Sequence, residues 1–315
     1  MVVLTAAEPE RHASIPARRR WRLSWLTAVV VVIALAGLGV LLYPSVAAWF
    51  SQYNQSLLIE DYVHDLSEVK PPGNDVSLGL AHQYNDALSS GANLASGANV
   101  ATGSGGQPEG IEPYNMLLRA TEEGVIARLR VPTADVDLPI YHGTSDETLM
   151  RGVGHLEGTS LPVGGENTHS VLTAHRGLAN ATMFTNLDAV KVGDTFTIEV
   201  FGEVLTYQVR QTQVVDPNDT RTLFPQQGED LVTLVTCTPL GINSHRILVT
   251  GERVTPTPIK DVEAAGEPSQ LPGFPWWAAG FAAGLLIIAL YIWWAGYPPR
   301  RRKPRPSAAT REGAR

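Results

Sequence analysis

The stretch D-L-V-T-L-V-T-C-T-P-L-G-I-N-S-H-R-I-L-V-T-G-E-R, from Asp230 to Arg253, decides how this chain is read. A β-branched run, Leu231 to Thr236, leads directly into Cys237, the only cysteine in the protein. Pro239 and Gly241 then turn the chain into a second such run, Ile247 to Val254. Runs of Val, Ile and Thr bounded by Pro and Gly read as two strands and a connection. If the strands pair, the thiol at the end of one meets Arg246 at the start of the next. A thiol beside a guanidinium is a reactive arrangement.

The same β texture extends outward from this pair. Gly124 to Val131, Val136 to Tyr141, Ser170 to Ala174, Thr195 to Val200 and Val204 to Val215 alternate or are β-branched, with Gly, Pro and Asp between them. Seven or eight closely spaced strands predict a mainly β domain, a sandwich or barrel. Short helices are expected at Ser145 to Arg151 and Ala181 to Leu187. Before the β region, apolar residues spaced by three and four from Trp49 to Val69 predict an amphipathic helix. Pro71-Pro72-Gly73 stops it, and a weaker helical pattern follows from Val76 to Leu88. Ser89 to Gly110 has the Ser/Gly/Ala/Asn composition of a linker. The expectation for this region is a helical stalk.

Charge is distributed unevenly. Residues 43–273 hold 28 acidic and 12 basic side chains, net −16; the flanks hold 12 basic and three acidic, net +9. An acidic centre argues against nucleic acid as a partner, which would call for a basic stripe on the folded domain. The basic ends instead flank two apolar runs. Leu26 to Leu42 follows Arg18, Arg19, Arg20 and Arg22, whereas Phe274 to Trp294 precedes Arg300, Arg301, Arg302, Lys303 and Arg305. These lengths suit a bilayer crossing, and Trp276, Trp277, Trp293 and Trp294 mark the interfaces. Lys/Arg clusters stay on the cytoplasmic side, so both termini are expected there and the acidic centre outside the cell. Ser45-Val46-Ala47 also resembles a small-residue cleavage site, although the apolar run is long for a signal core.

An unpaired cysteine outside the membrane cannot form an internal disulfide and is exposed to oxidation. A buried, inert Cys is the competing reading. If the thiol is a nucleophile it needs a proton shuttle, usually His. The candidates are His64, His82, His142, His155, His169, His175 and His245. His64 and His82 fall in the stalk; pattern alone leaves His175, at the mouth of a loop, and His245. No cofactor is called for. The histidines lack metal-ligand spacing and the Cys has no partner Cys, so no metal site is expected. Asp135, Asp137, Asp146 and Glu147 read as a solvated acidic surface.

T-L-V-T-C (Thr233 to Cys237), Arg246 nine residues later and a distant upstream His resemble the sortases, membrane-anchored cysteine transpeptidases of Gram-positive bacteria. Three blocks resemble their class C, pilin-polymerising branch, of actinobacterial type: L-P-I-Y-H-G-T (138–144), the run from Gly152 to Leu178, and Thr233 to Arg246. The trailing apolar span fits the same branch. The resemblance implies an eight-stranded β-barrel with short helices. It also implies Cys237 as nucleophile on an LPxTG-like sorting signal, His175 as acid and base, and Arg246 as oxyanion or substrate partner. The implied partners are pilin subunits, or surface proteins with C-terminal sorting signals if the acceptor is a cell-wall amine. The resulting division is a basic tail (1–25), a first span (26–42), a stalk and linker (43–120), the barrel (121–258), a linker (259–273), a second span (274–294) and a basic tail (295–315). Class C enzymes usually carry an Asp-Pro-aromatic lid motif, and none lies between Leu88 and Pro113. A weak or absent lid is the expectation.

Overall fold

The computed structural model describes residues 21–68, 73–89 and 113–297. The barrel is built from β1 (Val125–Val131), β2 (Val136–His142), β3 (Val153–His155), β4 (Thr168–Thr173), β5 (Thr195–Val200), β6 (Glu203–Val215), β7 (Asp230–Thr238) and β8 (His245–Arg253). They close in the order β1-β2-β3-β4-β7-β8-β6-β5. Two junctions are parallel, β2 with β3 and β4 with β7; the rest are antiparallel. Closure leaves no exposed sheet edge.

Alternation along each strand sends one set of side chains inward. Leu129, Ile140, Leu172, Phe196, Ile198, Leu234 and Val249 are completely buried in one core. Each such side chain contributes about 1.5–3 kcal/mol relative to exposure. Where Phe196 stacks on Tyr207 at 5.5 Å, β8 carries Gly251, because a Cβ there would lie 2.5 Å from the Phe196 ring.

Helix α1 runs from Trp25 to Glu68 and α2 from Gly73 to Ser89. The first apolar run and the amphipathic segment are therefore one helix, continuous through Pro44. Residues 43–275 form one compact unit. Within it Ile59, Tyr62, Leu78, Ala81 and Tyr84 are buried. The Asn85 amide of α2 also exchanges two hydrogen bonds with the backbone of Leu161, at 2.7 and 3.0 Å. The stalk helices are thus part of the barrel's packing and not a free spacer. The linker (89–110), for which a weak or absent lid is expected, lies outside the described residues from residue 90 onward, as do the basic clusters at 18–20 and 300–305.

Short α3 (Asp146–Arg151) begins at Ser145, whose hydroxyl accepts from the Thr148 amide. Helix α4 (Ile259–Glu263) lies in the C-terminal linker and α5 spans Trp276–Ala295. Helices α1 and α5 are long and apolar enough to cross a membrane.

Three expectations are corrected. Ala181 to Leu187 is a series of turns ending in a 3-10 turn, Leu187–Ala189, and not a helix. Met183 takes a left-handed φ of 43°, and the Phe184 amide leaves any helical pattern to bond the His175 carbonyl. Strand β3 was not expected, since three residues containing a glycine carry no periodic signal. Asp137 is not part of a solvated acidic surface. It accepts two 2.7 Å bonds from the fully buried Arg128. Arg130 ion-pairs with Glu199 at 2.9 Å, and both arginines donate to the Glu267 carbonyl. This network straps residues 264–267 to the barrel wall.

Candidate active site

Strands β7 and β8 pair antiparallel with Cys237 directly opposite Arg246 and Thr238 opposite His245. Opposed residues share a face of the sheet and their neighbours point the other way. Cys237 and Arg246 therefore project from one face, together with Val235 and Leu248. Thr236, Leu234 and Val249 point toward the core. Cys237 is half-buried and free.

On the other side of β7 lies β4, parallel, with a constant offset of 62 residues from Thr168↔Asp230 to Thr173↔Val235. His175 lies two residues beyond β4, yet the contact with β7 continues through the Ala174 amide, which donates to the Val235 carbonyl at 3.3 Å, and then through side chains. Thr236 Oγ1 donates to the Ala174 carbonyl at 2.8 Å, and Arg176 Nη1 donates to Thr238 Oγ1 at 3.0 Å. His175 stands between these two bonds and Cys237 stands between their partners. His175, Cys237 and Arg246 thus form one transverse row over three adjacent strands.

This geometry separates the histidines. His245, opposite Thr238, belongs to the other face and is exposed, with Nδ1 against Ser244 Oγ at 2.9 Å. His64 and His82 are exposed on α1 and α2. His142, His155 and His169 are embedded in the barrel wall. His155 has Nδ1 on the Tyr114 hydroxyl at 2.8 Å and Nε2 on the Ser160 carbonyl at 2.8 Å. Burial lowers its pKa to about 3, against the opposing pull of the Ser160 carbonyl. His142 is lowered to about 4 by burial and by the charge of Arg119. Burial lowers His169 as well. His155 and His169 have both ring nitrogens engaged inside the wall, whereas His142 Nε2 is buried without a hydrogen-bond partner among the described residues.

Arg246 rests on its loop, with Nη1 donating to the carbonyls of Asn243 (3.0 Å) and His245 (3.1 Å). Arg246 thus carries its charge at the strand position directly opposite Cys237, and a guanidinium so placed is of the kind that stabilises an anion. Among the described residues no cluster of His, Cys, Asp or Glu could hold a metal ion. The residues overlooked in the sequence are Thr236, Arg176 and Thr238. Nothing in one sequence signals that a threonine beside the Cys and an arginine beside a distant His are partners across parallel strands.

The sortase domain profile matches residues 129–254. The crystal structure of Streptococcus agalactiae sortase C1 in complex with MTSET is 44% identical over 62% of this chain and 96% of that one, with a TM-score of 0.55. Sortase C-1 from Actinomyces oris is 46% identical over 58% and 99%, with a TM-score of 0.51. Among curated sequences, sortase D of Bacillus subtilis is 32% identical over 40% of this chain and 63% of its own length. Sortase A of S. agalactiae is matched over 47% of its length, so the chain spans less than two thirds of these two relatives. The chain belongs to the sortase family. Sortases are cysteine transpeptidases, and the solved structures similar to this one include class C members.

Proposed function

We propose that this protein is a membrane-anchored class C sortase of actinobacterial type that joins pilin subunits. The observation that carries this reading is the transverse row of His175, Cys237 and Arg246 on one sheet face. The Cys237 thiolate attacks the Thr carbonyl carbon of an LPxTG-like signal, and the Arg246 guanidinium stabilises the oxyanion. As the tetrahedral intermediate collapses, the Thr–Gly C–N bond breaks and His175 gives its proton to the departing amine. A pilin lysine then loses a proton to His175 and attacks the thioester; the new isopeptide C–N bond forms as the C–S bond breaks, which regenerates the thiolate. The similarity to sortase C1 of S. agalactiae and sortase C-1 of A. oris supports the class, and the latter supports the actinobacterial type. The helices α1 and α5, with basic clusters toward both chain ends, support a two-pass arrangement with the termini cytoplasmic and the barrel outside.

Mass spectrometry of the full chain, incubated with a library of sorting-signal peptides, tests the chemistry. The expected result is an acyl adduct on Cys237 that a lysine-bearing pilin peptide discharges into an isopeptide product. Discharge only by a cell-wall peptide amine would move the protein to surface-protein anchoring. If no peptide acylates Cys237, the transpeptidase reading fails, and a tethered binding barrel becomes the better account.

A further inference from the structure

The proposed mechanism asks His175 to hold its relation to Cys237 through two half-reactions, while one peptide leaves and another enters. Yet His175 lies past the end of β4, beyond the last ladder pair with β7. Bonds from Ala174 to Val235 and Thr236 hold the chain just before it; the chain after it needs a hold of its own.

The neighbouring Arg176 has the reach. Its guanidinium serves three acceptors on two segments at once. Nη1 reaches Thr238 Oγ1 on the cysteine strand (3.0 Å), Nε reaches the Thr185 carbonyl (3.1 Å), and Nη2 meets the Asp188 carboxylate (2.7 Å). The Arg176 side chain is only 6% exposed, so its charge requires these partners; Asp188 is 57% exposed, so the ion pair itself stabilises little. What the arrangement supplies is geometry. The chain on either side is held as well: the His175 carbonyl accepts from the Phe184 amide at 3.0 Å, and the Gly177 amide donates to Thr185 Oγ1 at 3.1 Å. Thr238 follows Cys237 on β7 and so projects from the opposite face of that strand, where the Arg176 guanidinium meets it.

We propose that Arg176 is a positioning residue for acyl transfer, its buried guanidinium fixing the His175 backbone in register with Cys237 from beneath the site. This rests on the roles of His175 and Cys237 given above. A lysine would keep the charge but lose the planar fork that serves three acceptors together.

Two measurements on the full chain test it. In steady-state acyl transfer, Arg176→Lys and Arg176→Gln lower kcat by about 10- to 100-fold with KM within about three-fold, as expected for misplacement of a reacting group. Thr238→Val, which removes one acceptor and leaves Asp188 in place, has a smaller effect in the same direction. Arg176→Gln with Thr238→Val is no worse than Arg176→Gln alone, because both act through one contact. The second measurement needs no turnover. In a His175→Cys background, the introduced thiol lies two residues past the Thr173↔Val235 pair and Cys237 two residues past it on β7, so the rate at which the two thiols cross-link reads how well the extrapolated register is held. Adding Arg176→Gln slows cross-linking by about five-fold or more. Unchanged cross-linking, or losses that multiply in the double variant, overturns the proposal. If the catalytic reading is itself wrong, the unmodified protein forms no acyl-enzyme, and the cross-linking comparison still decides the role of Arg176.

Discussion

At one end of β4, β7 and β8 stand His175, Cys237 and Arg246; at the other stand His169, Thr233 and Thr250, on the same face. The second row is closed. His169 Nε2 meets Thr233 Oγ1 at 2.7 Å, Thr233 meets Thr250 at 2.9 Å, and His169 Nδ1 lies 3.1 Å from the Phe224 carbonyl. All three are buried. A cavity of about 440 Å³ lies beside His169, lined by Leu88, Thr159, Asn167, Leu223 and Phe224. It is roughly 20 Å along the strands from His175, at about 3.3 Å per residue, and so is not the reacting centre. The first row stands at the open strand ends, where the thiol and ring are only half-buried. A histidine on β4 near a nucleophilic atom on β7 is therefore not by itself a site. Access and unspent hydrogen-bonding capacity make the difference.

The sharpest way to break this comparison is to remove the nucleophilic atom at each end. Cys237→Ala is expected to lower acyl transfer by about 10⁴-fold or more without unfolding the barrel, whereas Thr233→Val keeps kcat within a few-fold and lowers thermal stability. Comparable losses of activity at both ends would erase the distinction. Replacing the histidines separates the rows next. His175→Asn is expected to reduce kcat by about 10²- to 10⁴-fold with little change in Tm. His169→Ala removes the ring that meets the Phe224 carbonyl and one of the two partners of the Thr233 hydroxyl, and is expected to cost about 1–3 kcal/mol of stability. Calorimetry alongside single-turnover kinetics reads both.

The smallest effect is in acid. Burial holds His142 near 4 and His155 near 3, below the ordinary value of about 6.5. Between these limits the unfolded chain takes up protons that the folded chain refuses. Their stabilising contribution is therefore full above pH 6.5 and is lost as pH falls toward the folded values, at about 1.4 kcal/mol per pH unit for each ring. Melting curves from pH 7.5 to 5 should steepen in this sense, and His142→Asn should flatten them. An unchanged slope would mean that the closed histidines are not kept neutral by the fold.

The strand pattern was legible because β-branched runs with Gly and Pro between them admit few alternatives: β5 falls at Thr195–Val200 and β8 within a residue or two of its expected ends. The antiparallel pairing that sets Cys237 opposite Arg246 was legible too, since a short loop joins the strands. What could not be read is non-local. The parallel register of β4 with β7 joins residues 62 apart, and that register is what carries the chain at His175 toward the level of Cys237. The helix expected at Ala181 to Leu187 fails for a related reason. Tertiary demand for the Phe184 amide at the His175 carbonyl overrides a weak local preference.

Gly177 follows Arg176 with a left-handed φ of 74°, and a Cβ there would lie 2.5 Å from Leu240 Cδ2 in the β7–β8 loop. Anyone exchanging loops between this enzyme and a relative should treat the two as a single cassette. A histidine loop bearing a side chain at 177 would be strained at this φ and would have to displace the Leu240 side chain, so the residues at 177 and 240 are best moved together.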